Sequence, residues 1–152
     1  NTAMADNPSL TARRWYGNNP LRIVLDRNGV LPANLHLFDG RVPTLVVGEH
    51  DNEERCKSSN YTFLHVDYSR DVLPQILKHL KDSGIQSLLV EGGRQVLDSF
   101  LAAGMWDEAQ VEIGRACFHG GLQAPCLPQN ATVRVSQNFG HTFLHYEHID
   151  KL

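Results

Sequence analysis

Val72-Leu73-Pro74-Gln75-Ile76-Leu77-Lys78-His79-Leu80-Lys81-Asp82-Ser83-Gly84-Ile85-Gln86-Ser87-Leu88-Leu89-Val90-Glu91-Gly92-Gly93-Arg94-Gln95-Val96 is the stretch on which the fold turns. Val72, Leu73, Ile76, Leu77 and Leu80 recur at helical spacing, with lysines and Asp82 on the opposite face. Ser69 or Asp71 stands where a side chain can cap the helix start, and Gly84 where a left-handed glycine ends one. Residues 85–90 are a short apolar run that reads as a buried strand. Glu91-Gly92-Gly93 then turns the chain. A second helix carries Val96, Leu97, Phe100 and Leu101, and Gly104 ends it.

Upstream, Leu21-Arg22-Ile23-Val24-Leu25-Asp26 and Thr44-Leu45-Val46-Val47-Gly48 each follow a proline and read as buried strands; residues 61–66 are a third. Strands this continuously apolar predict a sheet covered on both faces. Downstream, residues 109–113 alternate like a strand. Residues 132–139 and 142–149 alternate too, separated by Gly140-His141, which is a hairpin pattern. The segment 119–130 reads as a loop. Strands alternating with helices predict an α/β fold with a mostly parallel sheet that ends in an antiparallel hairpin.

Length and composition bound the function. A chain of 152 residues suits one domain with a real core. Its net charge of −3 offers no basic excess for nucleic acid or an anionic membrane. The apolar runs are too short to span a bilayer, and no secretory leader opens the chain. Cys56, Cys117 and Cys126 are odd in number and lack C-x-x-C spacing, so a reducing cytoplasm is the expected setting. The opening Asn1-Thr2-Ala3-Met4 is already polar and turn-like, and a longer parent chain is expected.

The candidate chemistry lies at the ends of strands. In open α/β sheets ligands gather beyond the carboxyl ends of strands, and N–H groups at a helix start favour phosphate. Gly92 and Gly93 thus suit a dinucleotide diphosphate, or simply a tight turn that needs small residues. The G-x-G-x-x-G fingerprint is absent, so an ordinary Rossmann domain is not indicated. Glu91 suits a ligand role, against a capping carboxylate beside the helix start. Arg27, just past a strand end, suits the 2′-phosphate that separates NADP from NAD, or a solvated loop. In the polar opening segment Asp6 can accept hydrogen bonds from a ribose or amide, and Arg13 can hold a phosphate bidentately. Chemistry alone favours a solvated turn there. His141, His145 and His148 sit on a strand pattern, and no acidic or cysteine partner completes a ligand set, so they read as exposed strand residues rather than metal ligands. Cys117 and Cys126 have no local activating group and read as inert.

Four segments in order carry a resemblance: Ala5-Asp6-Asn7-Pro8-Ser9-Leu10-Thr11 with Arg13, Asn19-Pro20-Leu21-Arg22-Ile23-Val24-Leu25-Asp26, Leu89-Val90-Glu91-Gly92-Gly93 with Leu97, and Gly120-Gly121 before Ala124-Pro125. Together they resemble the reductase domain of the bacterial bifunctional riboflavin-biosynthesis deaminase–reductase, over essentially the whole chain. The resemblance implies a dihydrofolate-reductase-like three-layer fold and NADPH as cofactor. It implies reduction of 5-amino-6-(5-phosphoribosylamino)uracil to its ribitylamino product, with Asp6 and Glu91 as the catalytic pair. It puts Thr2 and Asp6 at the nicotinamide ribose and Leu10, Arg13 and Glu91 on the substrate. Arg27 falls at the adenosine phosphate, and Gly92, Gly93, Arg94 and Gln95 at the diphosphate. It further implies a homodimer and an upstream deaminase domain in the parent chain, with residues 1–152 a single reductase domain incomplete at its N-terminus. The deaminase's paired H-x-E and P-C-x-x-C pattern is absent here, which excludes zinc and deamination for this chain. The rival reading is a non-catalytic α/β nucleotide-binding or dimerisation module.

Overall fold

The computed structural model describes residues 2–13, 16–52, 54–55, 60–117 and 120–149; Cys56 and His119 lie outside the described residues. Two compact units form, Asn1–Leu88 and Leu89–Leu152.

The first unit opens with a short helix, α1 (Thr2–Asp6), and holds a parallel sheet of β1 (Arg22–Leu25), β2 (Thr44–Gly48) and β3 (Tyr61–His65) in that order. Ile23 aligns with Leu45 and Val46 with Phe63. Every residue of β2 is buried, as expected for a strand covered on both faces. Val46 points into one core with Val24, Leu31, Leu35, Leu37 and Phe38, the last two on a short 3₁₀ turn, His36–Phe38. Leu45 and Val47 point into the other, with Val66, Ile76 and Leu80. The alternation along β2 therefore welds two cores through one sheet.

The second core is closed by α2 (Val72–Asp82). Asp71 takes the cap position, yet neither it nor Ser69 makes the expected side-chain cap bond. Gln75 instead reaches back: its Oε1 accepts the Asp67 N–H at 2.9 Å, and its Nε2 donates to the Asp67 and Asp71 carbonyls. At the other end Gly84 is left-handed (φ 78°). Its N–H donates to the Lys81 carbonyl and the Ile85 N–H to the Leu80 carbonyl, which is a Schellman closure.

Residues 85–90 form no strand. Ile85 and Leu88 are partly exposed and Leu89 is 80% exposed. An apolar run becomes a strand only when a neighbour satisfies its N–H and C=O groups, and no ladder among the described residues includes this one.

The second unit begins with α3 (Arg94–Ala102), which ends in the same closure: Gly104 N–H to Leu101 and Met105 N–H to Phe100. An antiparallel sheet follows, with β6 (His141–His148) between β4 (Glu108–Ile113) and β5 (Ala131–Asn138). The β5–β6 hairpin forms as predicted, but its turn is Phe139-Gly140, one residue earlier than the pattern indicates, because Asn138 pairs with His141. Both turn residues have positive φ, 51° and 77°, as a two-residue hairpin turn requires. Phenylalanine reads as a strand former, which hides this from the sequence. The α/β class thus stands, with three parallel and three antiparallel strands. No helix among the described residues is long and apolar enough to cross a membrane.

Candidate functional site

In the first unit the opening segment is pinned rather than loose. The Asn7 side-chain oxygen accepts the His36 N–H at 2.8 Å, and the His36 ring nitrogen Nδ1 lies 2.9 Å from the Asn7 carbonyl. Arg22 donates from Nη1 to the Ser9 carbonyl at 3.3 Å. Asn7 and Leu10 both have positive φ, 40° and 46°, which is costly for leucine and is the kind of strain that surrounding contacts must enforce. Leu10 packs half-buried against the first core. Thr2, Asp6 and Arg13 are exposed. Among the described residues no hydrogen bond or ion pair joins any of them to one another.

The carboxyl ends of the parallel strands make a second cluster. Asp26 comes directly after β1 and is buried, where its carboxylate accepts the Val30 and Leu31 N–H groups and pairs with buried Arg55. Arg27 follows and turns outward, 56% exposed. Its Nε donates to Glu49 Oε2 at 2.9 Å, and its guanidinium lies 4.6 Å from the centre of the Tyr68 ring. Its carbonyl accepts the Glu49 and His50 N–H groups at 2.9 and 3.0 Å, which ties the two strand ends together. Glycine is required at position 48, since a Cβ there would stand 2.4 Å from the Asp26 carbonyl oxygen. Burial pushes the Tyr68 hydroxyl above its ordinary value; the Arg27 charge opposes this, and Asp26 and Glu49 add to it. Ser69 holds the Asp67 carboxyl below the usual range through two hydrogen bonds.

In the second unit Gly93 takes the cap position of α3, and its carbonyl accepts the Val96 and Leu97 N–H groups. No side chain caps this helix start, and a Cβ on Gly92 would meet nothing within 4 Å. Glu91 is exposed. Arg94 turns along its own helix: Nε donates to Asp98 at 3.1 Å and Nη1 to Gln123 at 3.2 Å. Asp98 also accepts the Cys126 N–H, so this pair fastens the 121–127 loop to α3. Gln95 is exposed, and its carbonyl accepts the Ser99 hydroxyl at 2.7 Å.

The strand histidines are half-buried rather than exposed, and two of them lie beside glutamates. His141 lies 2.5 Å from Glu112, and His145 lies 3.5 Å from Glu147 and 3.8 Å from Glu108. Antiparallel register brings Glu108 and Glu112 across from β4, a partnership that sequence distance conceals. Sequence reasoning also misses Glu49 and Tyr68. Glu49 was findable, since it follows a buried strand as Arg27 does. Tyr68 carries no such signal, because it lies three residues beyond its strand.

Comparison with known proteins now gives this geometry a family. The chain is 35% identical over 133 residues to a riboflavin biosynthesis protein RibD from Bacillus amyloliquefaciens, covering 83% of this chain and 35% of the relative. It is 33% identical over 117 residues to a 2,5-diamino-6-ribosylamino-4(3H)-pyrimidinone 5′-phosphate reductase from Methanothermobacter thermautotrophicus, covering 73% of this chain and 54% of that protein. Among solved structures, a deaminase/5-amino-6-(5-phosphoribosylamino)uracil reductase from Thermotoga maritima superposes with a TM-score of 0.77 at 26% identity, over 96% of this chain and 42% of that one. The chain thus spans about a third to a half of these curated relatives. Its dihydrofolate-reductase-like α/β fold is theirs. The sequence profile of the RibD C-terminal domain matches residues 1–150, and the chain belongs to that family.

Proposed function

We propose that this chain is a reductase domain that reduces 5-amino-6-(5-phosphoribosylamino)uracil to its ribitylamino product with NADPH. The observation that carries the reading is the family match over residues 1–150, which spans every segment proposed to hold a ligand. Taken unit by unit, the residues present suit parts of a dinucleotide. Arg27 is exposed, and among the described residues its two terminal nitrogens take no hydrogen bond, so their edge is available to a phosphate. In the second unit the head of α3 has no side-chain cap, and open space stands beside Gly92.

When bound, NADPH supplies a hydride to C1′ of the substrate's opened ribosylamine. The chain's own task is positioning. Arg27 is proposed for the 2′-phosphate, and Gly92, Gly93 and the Arg94 and Gln95 backbone N–H groups for the diphosphate. The side chain of Arg94 is left out of this role, since it already braces the loop. Thr2 and Asp6 are proposed to hold the nicotinamide ribose. Arg13 takes the substrate phosphate, Glu91 its ribose hydroxyls, and Leu10 forms an apolar wall whose strained backbone is fixed by the contacts around it. A cytoplasmic setting is carried over from the reading of the odd cysteine count. A homodimer, and a deamination that supplies the substrate, are carried over from the resemblance; the Thermotoga relative is described as both deaminase and reductase.

The test is hydride transfer, followed as loss of NADPH absorbance, by the full-length protein. Asp6→Asn and Glu91→Gln are each expected to lower kcat/KM at least about 100-fold, the scale of a lost positioning or charge contact. Two variants that turn over like wild type would overturn the site assignment. An intact protein that consumes no NADPH with this substrate would overturn the function.

A further inference from the structure

The carboxyl ends of the parallel strands hold more than Arg27. Glu49 follows β2 and takes the Arg27 Nε at 2.9 Å, while Tyr68, beyond β3, lies beneath the guanidinium at 4.6 Å. The arginine is therefore held from two sides, which leaves its terminal nitrogens as the face open to a ligand. One of the two supports is neutral and the other is an anion. The Tyr68 hydroxyl stays protonated at neutral pH, because burial moves it upward. Glu49 keeps a carboxylate on the same guanidinium that a phosphate would engage.

We propose that Glu49 and Tyr68 set the choice between a phosphorylated and a free adenosine ribose at this site. The proposal rests on the reading that Arg27 receives the 2′-phosphate. Tyr68 favours the phosphate by fixing the guanidinium plane, so less freedom is lost when two hydrogen bonds form. Glu49 opposes it. Its charge repels an incoming phosphate, and its free oxygen can accept a hydrogen bond from a 2′-hydroxyl, which favours the unphosphorylated ribose. Glu49 has the strand-end position at which acidic residues meet a ribose in other open α/β sheets, here beside an arginine on the neighbouring strand. The two residues pull in opposite directions on one guanidinium, and the ratio of affinities is their difference.

The experiment is isothermal titration of the full-length protein with adenosine 2′,5′-bisphosphate and with 5′-AMP, which reads binding without turnover. The quantity is the ratio of the two dissociation constants. Glu49→Gln is expected to raise the preference for the bisphosphate about fivefold, the upper size of a partly exposed charge contact. Tyr68→Leu is expected to lower it about threefold, and Tyr68→Phe to hold it within about twofold, since the ring and not the hydroxyl forms the platform. Arg27→Gln separates the proposal from the reading beneath it, with an expected loss of about tenfold or more in the same preference. An unchanged ratio in Arg27→Gln, or a wild type that binds neither nucleotide, overturns the cofactor reading and this proposal with it. A fall in Arg27→Gln with no rise in Glu49→Gln, or with no difference between Tyr68→Leu and Tyr68→Phe, leaves the cofactor reading standing and overturns this proposal.

Discussion

The two ends of the parallel sheet use arginine in opposite ways. At the amino end of β1, Arg22 is fully buried and all its donor nitrogens are engaged. Nε donates to Thr44 at 3.0 Å, Nη1 to the His36 and Ser9 carbonyls, and Nη2 to Asp39 and the Val42 carbonyl. At the carboxyl end, five residues later, Arg27 is more than half exposed and engages the protein through Nε alone among the described residues. The first arginine is structure: it gathers the opening segment, the 3₁₀ turn and the loop before β2 around one guanidinium. The second is held but unsaturated, as the proposed phosphate role requires. The difference teaches that saturation of a side chain's hydrogen bonds, and not its identity, separates a scaffold residue from one whose donors are still open to a ligand.

Three experiments break or sharpen this contrast. The largest effect is expected from Arg22→Leu, which removes the buried guanidinium shared by three carbonyls, the Thr44 hydroxyl and the Asp39 carboxylate. A loss of about 3–5 kcal/mol in urea unfolding is expected, the range for breaking a buried charged network. Arg27→Leu, by contrast, should cost no more than about 1 kcal/mol, since its pair with Glu49 is solvent-screened. Equal losses in the two variants would dissolve the distinction.

The next effect tests whether the carboxyl end is open only at its side chains. Gly48→Ala forces a methyl group toward the Asp26 carbonyl, a backbone atom that cannot swing away. A cost of about 1–3 kcal/mol is expected, together with weaker nucleotide binding as the strand ends part. If Gly48→Ala unfolds like wild type, the close approach of β1 and β2 there is not what fixes Arg27 against Glu49.

The smallest effect is a pH dependence at the amino end. Burial raises the Asp39 carboxyl, but hydrogen bonds from the Arg41 N–H and from Arg22, with the charges of both arginines, outweigh it and hold the group below its ordinary 3.8. A carboxyl lowered in the folded state adds stability that is complete above the unfolded value and disappears as pH falls through the folded one. Wild type should therefore lose part of its stability on acidification from about pH 4 downward, where unfolded aspartate begins to protonate. Asp39→Asn should flatten that limb of an acid series. A limb of the same slope in both proteins would show that Asp39 does not report on the Arg22 network.

Much of the architecture was legible because it is local. The spacing of Val72, Ile76 and Leu80 encodes α2 whatever surrounds it, and Gly84 and Gly104 mark helix ends because they relieve a left-handed strain that other residues resist. The continuous apolar character of β2 announced a strand between two cores, and two cores exist. Where the reading depended on a partner, it was incomplete. Residues 85–90 have the composition of a strand but no ladder among the described residues. The hairpin turn fell one residue earlier than alternation suggested, because Phe139 adopts a conformation its side chain disfavours. Of the candidate site, the strand-end logic proposed Arg27 and the glycines before α3, while the grouping of Arg27 with Glu49 and Tyr68 draws on the ends of all three parallel strands.

The amino-acid sequence by itself determined α2 and α3, the strands and the ordered motifs that place the chain in its family, but read the α1 segment as a turn, since periodicity needs more than five residues to show. Tertiary structure alone decided which arginine is saturated and which is offered to solvent, and which histidines meet glutamates. The physical reason is that burial and hydrogen-bond saturation belong to pairs of distant segments, and no single segment contains its partner.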